Sequence, residues 1–172
     1  MKKTRFILIF LGSFALLLFF WRLTAVGRWY TDGVLGVAGI VGPLLHGWVL
    51  EPPAGDTPPM WARGADQVRT AIQFDALAVG LVPLMALLMA TPGLSWFRRG
   101  VRIATGIALS LLVDSLIVAL FPLLVFYKNP FTDVIGTFLG LVAFVGAPVI
   151  IWFGLTFHEL RGWLPALAPK LS

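Results

Sequence analysis

The residues of this chain whose types could do chemistry are few: the carboxylates Asp75 and Asp114, the histidines His46 and His158, and a scatter of serines. Asp114 stands in "SLLVDSLIV" and is the only charge between Ile103 and Tyr127. An exposed charge near the centre of a bilayer costs at least ~2.5 kcal/mol, so an ionisable residue there is a functional candidate by default. Its side chain must be protonated, paired or turned to a wet cavity. Ser110 and Ser115 are local candidate partners, and a group on another helix is the alternative. Asp75 lies about one and a half turns into its own apolar run, where water or Arg69 can satisfy it. A proton relay needs a chain of such groups, and Asp75 is the only second member available. The expected role of Asp114 is therefore helix packing.

His46, in "GPLLHGW", could ligate a haem or chlorophyll and is the one cofactor-binding candidate. A lone histidine beside glycine is more often hydrogen-bonded or solvent-facing. His158, in "FHELRGW", falls at the C-terminal end of an apolar run, where the helix dipole favours a cation. There is no paired-histidine pattern for a b-type haem, no HExxH, no P-loop and no dinucleotide glycine fingerprint. With no cysteine, disulfides, thiolate metal sites and a cysteine nucleophile are excluded. Ser13, Ser95, Ser110, Ser115 and Ser172 have no histidine base nearby in sequence. No catalytic set, no metal site and no resident cofactor is expected. Convergent polar groups are missing, which argues against an independent enzyme or transporter.

These residues must be held by apolar elements. Of the 172 residues, 59% are hydrophobic and 12% charged, where soluble domains carry about 25% charge. Mean hydropathy is +0.92, so lipid is the expected solvent. A membrane helix needs about 20 apolar residues. Four segments qualify, at about 6–25, 70–90, 103–126 and 134–157. The run 34–50 is short and broken by Gly36, Gly39, Gly42, Pro43 and Gly47, and reads as an outer amphipathic or re-entrant segment. Residues 51–69, rich in Pro, Gly and Ala, read as an exposed outer loop.

Charge placement sets the topology. Lys2, Lys3 and Arg5 precede the first span, and Arg98, Arg99 and Arg102 lie between the second and third. Arg161 and Lys170, with Glu159, follow the fourth, while the segment from Arg22 to Arg69 sums to zero. Four spans with both termini in the cytoplasm place every net-basic segment inside. The first span has a long core and no clear cleavage site, so it is expected to be an uncleaved signal anchor. The net charge of +5 belongs to these flanks, so lipid headgroups, not nucleic acid, are the expected partners. Trp29, Tyr30, Trp48 and Trp61 fit an outer aromatic belt, and Trp96, Trp152 and Trp163 an inner one. Gly136, Gly140, Ala143 and Ala147 recur at spacing four, a small-residue ridge suited to close helix packing within the chain or against another membrane subunit. The expected fold is all-α: a single polytopic integral membrane domain, a four-helix transmembrane bundle of the bacterial inner membrane.

The stretch "ATPGLSWFRRGVRIATGIALSLLVDSLIVALFPLL" and the following "NPFTDVIGTFLGLVAF" resemble the core of the exosortase/archaeosortase family over roughly residues 90–150. Those proteins are polytopic membrane transpeptidases that process C-terminal sorting signals of exported proteins. The resemblance aligns the asparagine of the family's N-x-x-R element with Asp114 and its arginine with Ile117. It aligns the family's H-D-x-x-G element with "TDVIG", so that Thr132 replaces the histidine and Asp133 and Gly136 are kept. The family's nucleophile is a cysteine, and this chain has none. The resemblance thus implies a non-catalytic relative, similar to the small membrane proteins that accompany some exosortases. The other function class that fits the residues is a small structural subunit of a larger respiratory or photosynthetic complex.

Overall fold

The computed structural model describes residues 2–51, 59–63, 66–68, 80–126, 131, 134–136, 138 and 145–161. The chain is mostly helical. Helix α1 covers Lys2–Leu23 and α2 Val26–His46; three short strands follow, β1 at Val49–Glu51, β2 at Met60–Arg63 and β3 at Asp66–Val68. Then come α3 at Leu81–Ala90, α4 at Trp96–Phe126 and α5 at Ala147–Arg161. The strands form one antiparallel sheet in the order β1-β2-β3, with Leu50 opposite Trp61 and Trp61 opposite Val68.

Two of these helices are long and apolar enough to cross a membrane: α1 over Thr4–Leu23 and α4 over Trp96–Leu124. Helix α1 is apolar all round, and its best 18-residue window is 0% buried. Leu8, Leu16, Phe19 and Leu23 are each more than 60% exposed. A helix apolar on every side and uncovered by its neighbours is compatible with a membrane span.

The remaining elements are cut to shape by local chemistry. Helix α3 has ten residues, about 15 Å of rise, half a bilayer core. Pro83 sits in its first turn, where no backbone N–H is needed. It ends at Ala90 because Thr91, extended at ψ 120°, precedes Pro92, which bars the helical conformation before it. Gly93, at φ 81°, completes the reversal into α4. Residues 71–79 lie outside the described residues, as does Asp75.

Helix α2 corrects the expectation of a segment at 34–50. It starts earlier, at Val26, and stops at Gly47, whose φ of 72° is the left-handed cap conformation that glycine adopts without a Cβ penalty. Beyond Gly47 the chain pairs as β1, so part of the expected outer loop is a sheet. Pro43 is accommodated in the last turn of α2, and its carbonyl accepts from the Gly47 N–H at 3.0 Å.

Helix α4 is the axis. Its N-terminal half packs on α3 and α5, where Gly106 lets Leu84, Leu88 and Leu155 approach. Its C-terminal half packs on α2, whose buried face is Tyr30, Val34, Ala38 and Gly42, one residue per turn. Helix α1 rests on α3. The core runs through Leu81, Leu84, Leu88, Val118, Ala119 and the α2 face, and it ends on Trp48 and Trp61.

Those tryptophans, with Tyr30, are core residues and not an outer belt: Trp61 is 0% and Trp48 1% exposed. The sheet folds back over the end of α2 and seats Trp61 directly on Gly42. A Cβ at Gly42 would lie 2.3 Å from the Trp61 ring. Trp29 and Trp96, at 71% and 78% exposure, are the tryptophans that fit a belt. Trp163 lies outside the described residues.

Candidate functional site

Asp114 is the only buried carboxylate among the described residues, at 6% exposure. The one-per-turn face of α2 brings Tyr30 to it, and the Tyr30 hydroxyl donates to Asp114 Oδ2 at 2.6 Å. Neither Ser110 nor Ser115 is its partner. Ser110 is buried at 6% exposure, and the Ser115 hydroxyl reaches Leu111 O at 2.6 Å and Val34 O at 3.2 Å. The Tyr30 ring is wedged edge-on against Trp21 of α1, with centroids 5.8 Å apart. Three helices thus converge on one hydrogen bond between side chains 84 positions apart.

His46 stands at the other end of α2. Its Nδ1 accepts from the Trp48 backbone N–H at 3.1 Å, so Nε2 carries the proton and donates to Ala119 O at 2.6 Å. Its ring also meets Trp61 edge-on at 5.5 Å. Both ring nitrogens are therefore occupied, and no lone pair is left for a haem or chlorophyll centre. Gly33, Tyr30, Val34 and His46 of α2 meet Leu111, Asp114, Ser115 and Ala119, all on the C-terminal half of α4.

The opposite end of the molecule has its own polar knot. Thr91, 0% exposed, donates to Leu87 O at 2.8 Å and accepts from Trp152 Nε1 at 2.9 Å. Its carbonyl accepts from Arg99 Nη2 at 3.2 Å. Arg102 grips both oxygens of Glu159, at 2.6 and 2.7 Å, a bidentate pair that ties the start of α4 to the end of α5. The guanidinium holds the Glu159 carboxyl below the usual carboxylate range. Arg5, Arg98, Arg99, Arg102 and Arg161 are gathered at this pole. The Phe6–Trp152 ring contact, with centroids 6.4 Å apart, brings the start of α1 there as well.

The other positions singled out from sequence are Gly136, Gly140, Asp75, Thr132 and Asp133. Gly136 is described, but nothing lies within 4 Å of where its Cβ would be. Among the described residues, close approach at a glycine occurs at Gly33, Gly42 and Gly106. Gly140, Asp75, Thr132 and Asp133 lie outside the described residues. No group of three or more His, Cys, Asp or Glu that could hold a metal ion occurs among the described residues.

Sequence reasoning missed Tyr30 as the partner of Asp114. The signal was present: Tyr30, Val34, Ala38 and Gly42 share one face at spacing four, so Tyr30 belongs with the buried stripe. Thr91 and Trp152 carried no such signal, because their meeting depends on how α3 and α5 pack. Comparison with protein-family models, curated proteins and solved structures finds no match to this chain.

Proposed function

We propose that this chain is a non-enzymatic accessory or interaction protein of the bacterial inner membrane. In this reading it is a multi-pass four-helix bundle with both termini in the cytoplasm and α2 lying against the outer half of the bundle. The observation that carries the reading is where the reactive groups are spent. Asp114 is bonded to Tyr30, both nitrogens of His46 are bonded to backbone, and Glu159 is bonded to Arg102. A catalytic or transport site needs polar groups that converge on an open space; these converge on one another.

The basic pole supports the orientation. The structure collects Arg5, Arg98, Arg99, Arg102 and Arg161 at one end, the arrangement that the positive-inside rule assigns to the cytoplasmic face. The resemblance of residues 90–150 to the exosortase core supports the setting, an accessory beside an exosortase-type transpeptidase. Asp114, at the place of the family's asparagine, serves here as a helix-packing acceptor.

The test is co-isolation in mild detergent from the native membrane, together with processing of an exported substrate that carries a C-terminal sorting signal. Recovery of a transpeptidase of that class, and slower processing when this chain is deleted, supports the reading. Recovery of respiratory or photosynthetic redox subunits instead would assign the chain to such a complex. Turnover or proton flux abolished by Asp114→Asn would overturn the non-enzymatic assignment.

A further inference from the structure

The basic pole carries a feature that helix packing does not use. The start of α1, the turn 91–93, the first turn of α4 and the end of α5 enclose a groove of about 790 Å³. Two cations line it, Arg5 and Arg99. Glu159 also reaches it, but both its oxygens are taken by Arg102. Neither Arg5 nor Arg99 has a carboxylate partner among the described residues.

Arg99 is held in place without being neutralised. Its Nη2 is anchored on Thr91 O at 3.2 Å, and its guanidinium lies 5.1 Å from the centre of the Trp96 ring. Its Nε is buried and has no hydrogen-bond partner. One wall of the groove is apolar, from Phe6 and Ile9 of α1, and it continues onto the uncovered apolar surface of that helix. Trp96, which lines the groove, is 78% exposed, as aromatic side chains are at the headgroup level of a bilayer.

An anionic head beside cations and an aliphatic body beside α1 describe one molecule. We propose that the groove binds an anionic glycerophospholipid, with Arg5 and Arg99 on its phosphodiester and an acyl chain along Phe6 and Ile9. Arginine suits this task because its planar fork matches phosphate oxygens and keeps its charge at any physiological pH. The site requires only that α1 sits in a membrane; it does not depend on the accessory role.

The full-length chain, carried in nanodiscs of equimolar phosphatidylglycerol and phosphatidylcholine with matched acyl chains, is released into native mass spectrometry. Phosphatidylglycerol is expected to be retained over phosphatidylcholine. Arg5→Gln is expected to lower that preference about fivefold, the worth of one surface arginine to an anionic lipid. Arg5→Gln with Arg99→Gln is expected to abolish it, and Arg28→Gln, at the far pole, to leave it unchanged. Arg5 makes no hydrogen bond among the described residues, so the single variant reads the site even if Arg99→Gln disturbs the Thr91 knot. Equal retention of the two lipids, or a preference untouched by Arg5→Gln, overturns the proposal. Displacement of the lipid by millimolar glycerol 3-phosphate or inorganic phosphate would show a site for soluble phosphate instead, and would overturn it as well.

Discussion

At the scale of single residues, the Tyr30–Asp114 bond is where the fold is most exposed to error. Asn at position 114 keeps a carbonyl oxygen for the tyrosine hydroxyl, so Asp114→Asn is expected to change stability by less than about 1 kcal/mol. Asp114→Leu leaves the hydroxyl buried and unmet, at about 1–3 kcal/mol. Tyr30→Phe leaves the carboxyl unmet, with a loss of similar size. The double variant Tyr30→Phe/Asp114→Leu removes both partners and should recover much of either loss, because two apolar groups of like shape need no hydrogen bond. Thermal unfolding of the four proteins in detergent closes the cycle. Additive losses would mean that the two side chains do not depend on each other.

At the scale of elements, α2 and the sheet form one unit pinned by Gly42. Gly42→Ala drives a methyl group into the Trp61 ring, since the new Cβ would stand 2.3 Å from it. Overpacking of this kind costs about 1–3 kcal/mol, and Trp61 should move toward solvent. The measurements are the unfolding midpoint and a red shift of tryptophan emission. Gly36, on the same helix, is exposed and has nothing within 4 Å of its Cβ position. Gly36→Ala is therefore expected to be neutral, or to stabilise by about 0.5–1 kcal/mol through helix propensity alone. A matching loss at both glycines would show that α2 is sensitive to any substitution and not to the Trp61 contact.

At the scale of the whole molecule, Arg102 and Glu159 fasten the two ends of the basic pole. Their side chains are 21% and 15% exposed, so the pair is part-screened and contributes about 1 kcal/mol. The Glu159 carboxyl titrates lower in the folded state than in the unfolded one. Its stabilisation is thus fully present above the ordinary glutamate range, about 4.3, and is lost as pH falls through the lower folded value. Glu159→Gln should be less stable than the parent at pH 6–8, and the gap should close on acidification below about pH 4. A gap independent of pH would put the loss on packing and not on charge. Orientation belongs to this scale too. The chain has no native cysteine, so Ser95→Cys, at the exposed basic pole, should react with an impermeant thiol reagent only from the cytoplasmic side. Val49→Cys, 54% exposed on β1, should react only from the opposite side. Labelling of both from one side would reject the proposed orientation.

The sequence by itself determined the apolar character of the long helices, the placement of the basic residues and the inventory of reactive groups. Long apolar runs mark α1 and α4, the second interrupted only by Asp114 after Arg102, because such stretches have no favourable place in water. The clusters Lys2–Arg5 and Arg98–Arg102 mark one pole, and the absence of cysteine removes a class of chemistry. The helix end before Pro92 was legible for a local backbone reason, whereas the end at Gly47 was not, since Gly47 was one of five breakers in the run 34–50. What only the tertiary structure decided is which polar group meets which. Tyr30 to Asp114, Trp152 to Thr91 and Arg102 to Glu159 join residues 84, 61 and 57 positions apart. Such pairings depend on how helices rotate and cross, and hydropathy is blind to both. For the same reason Trp48 and Trp61 read as interface residues in sequence and became core: the pairing of β2 with β1 brings Trp61 onto Gly42, a glycine that leaves room for its ring.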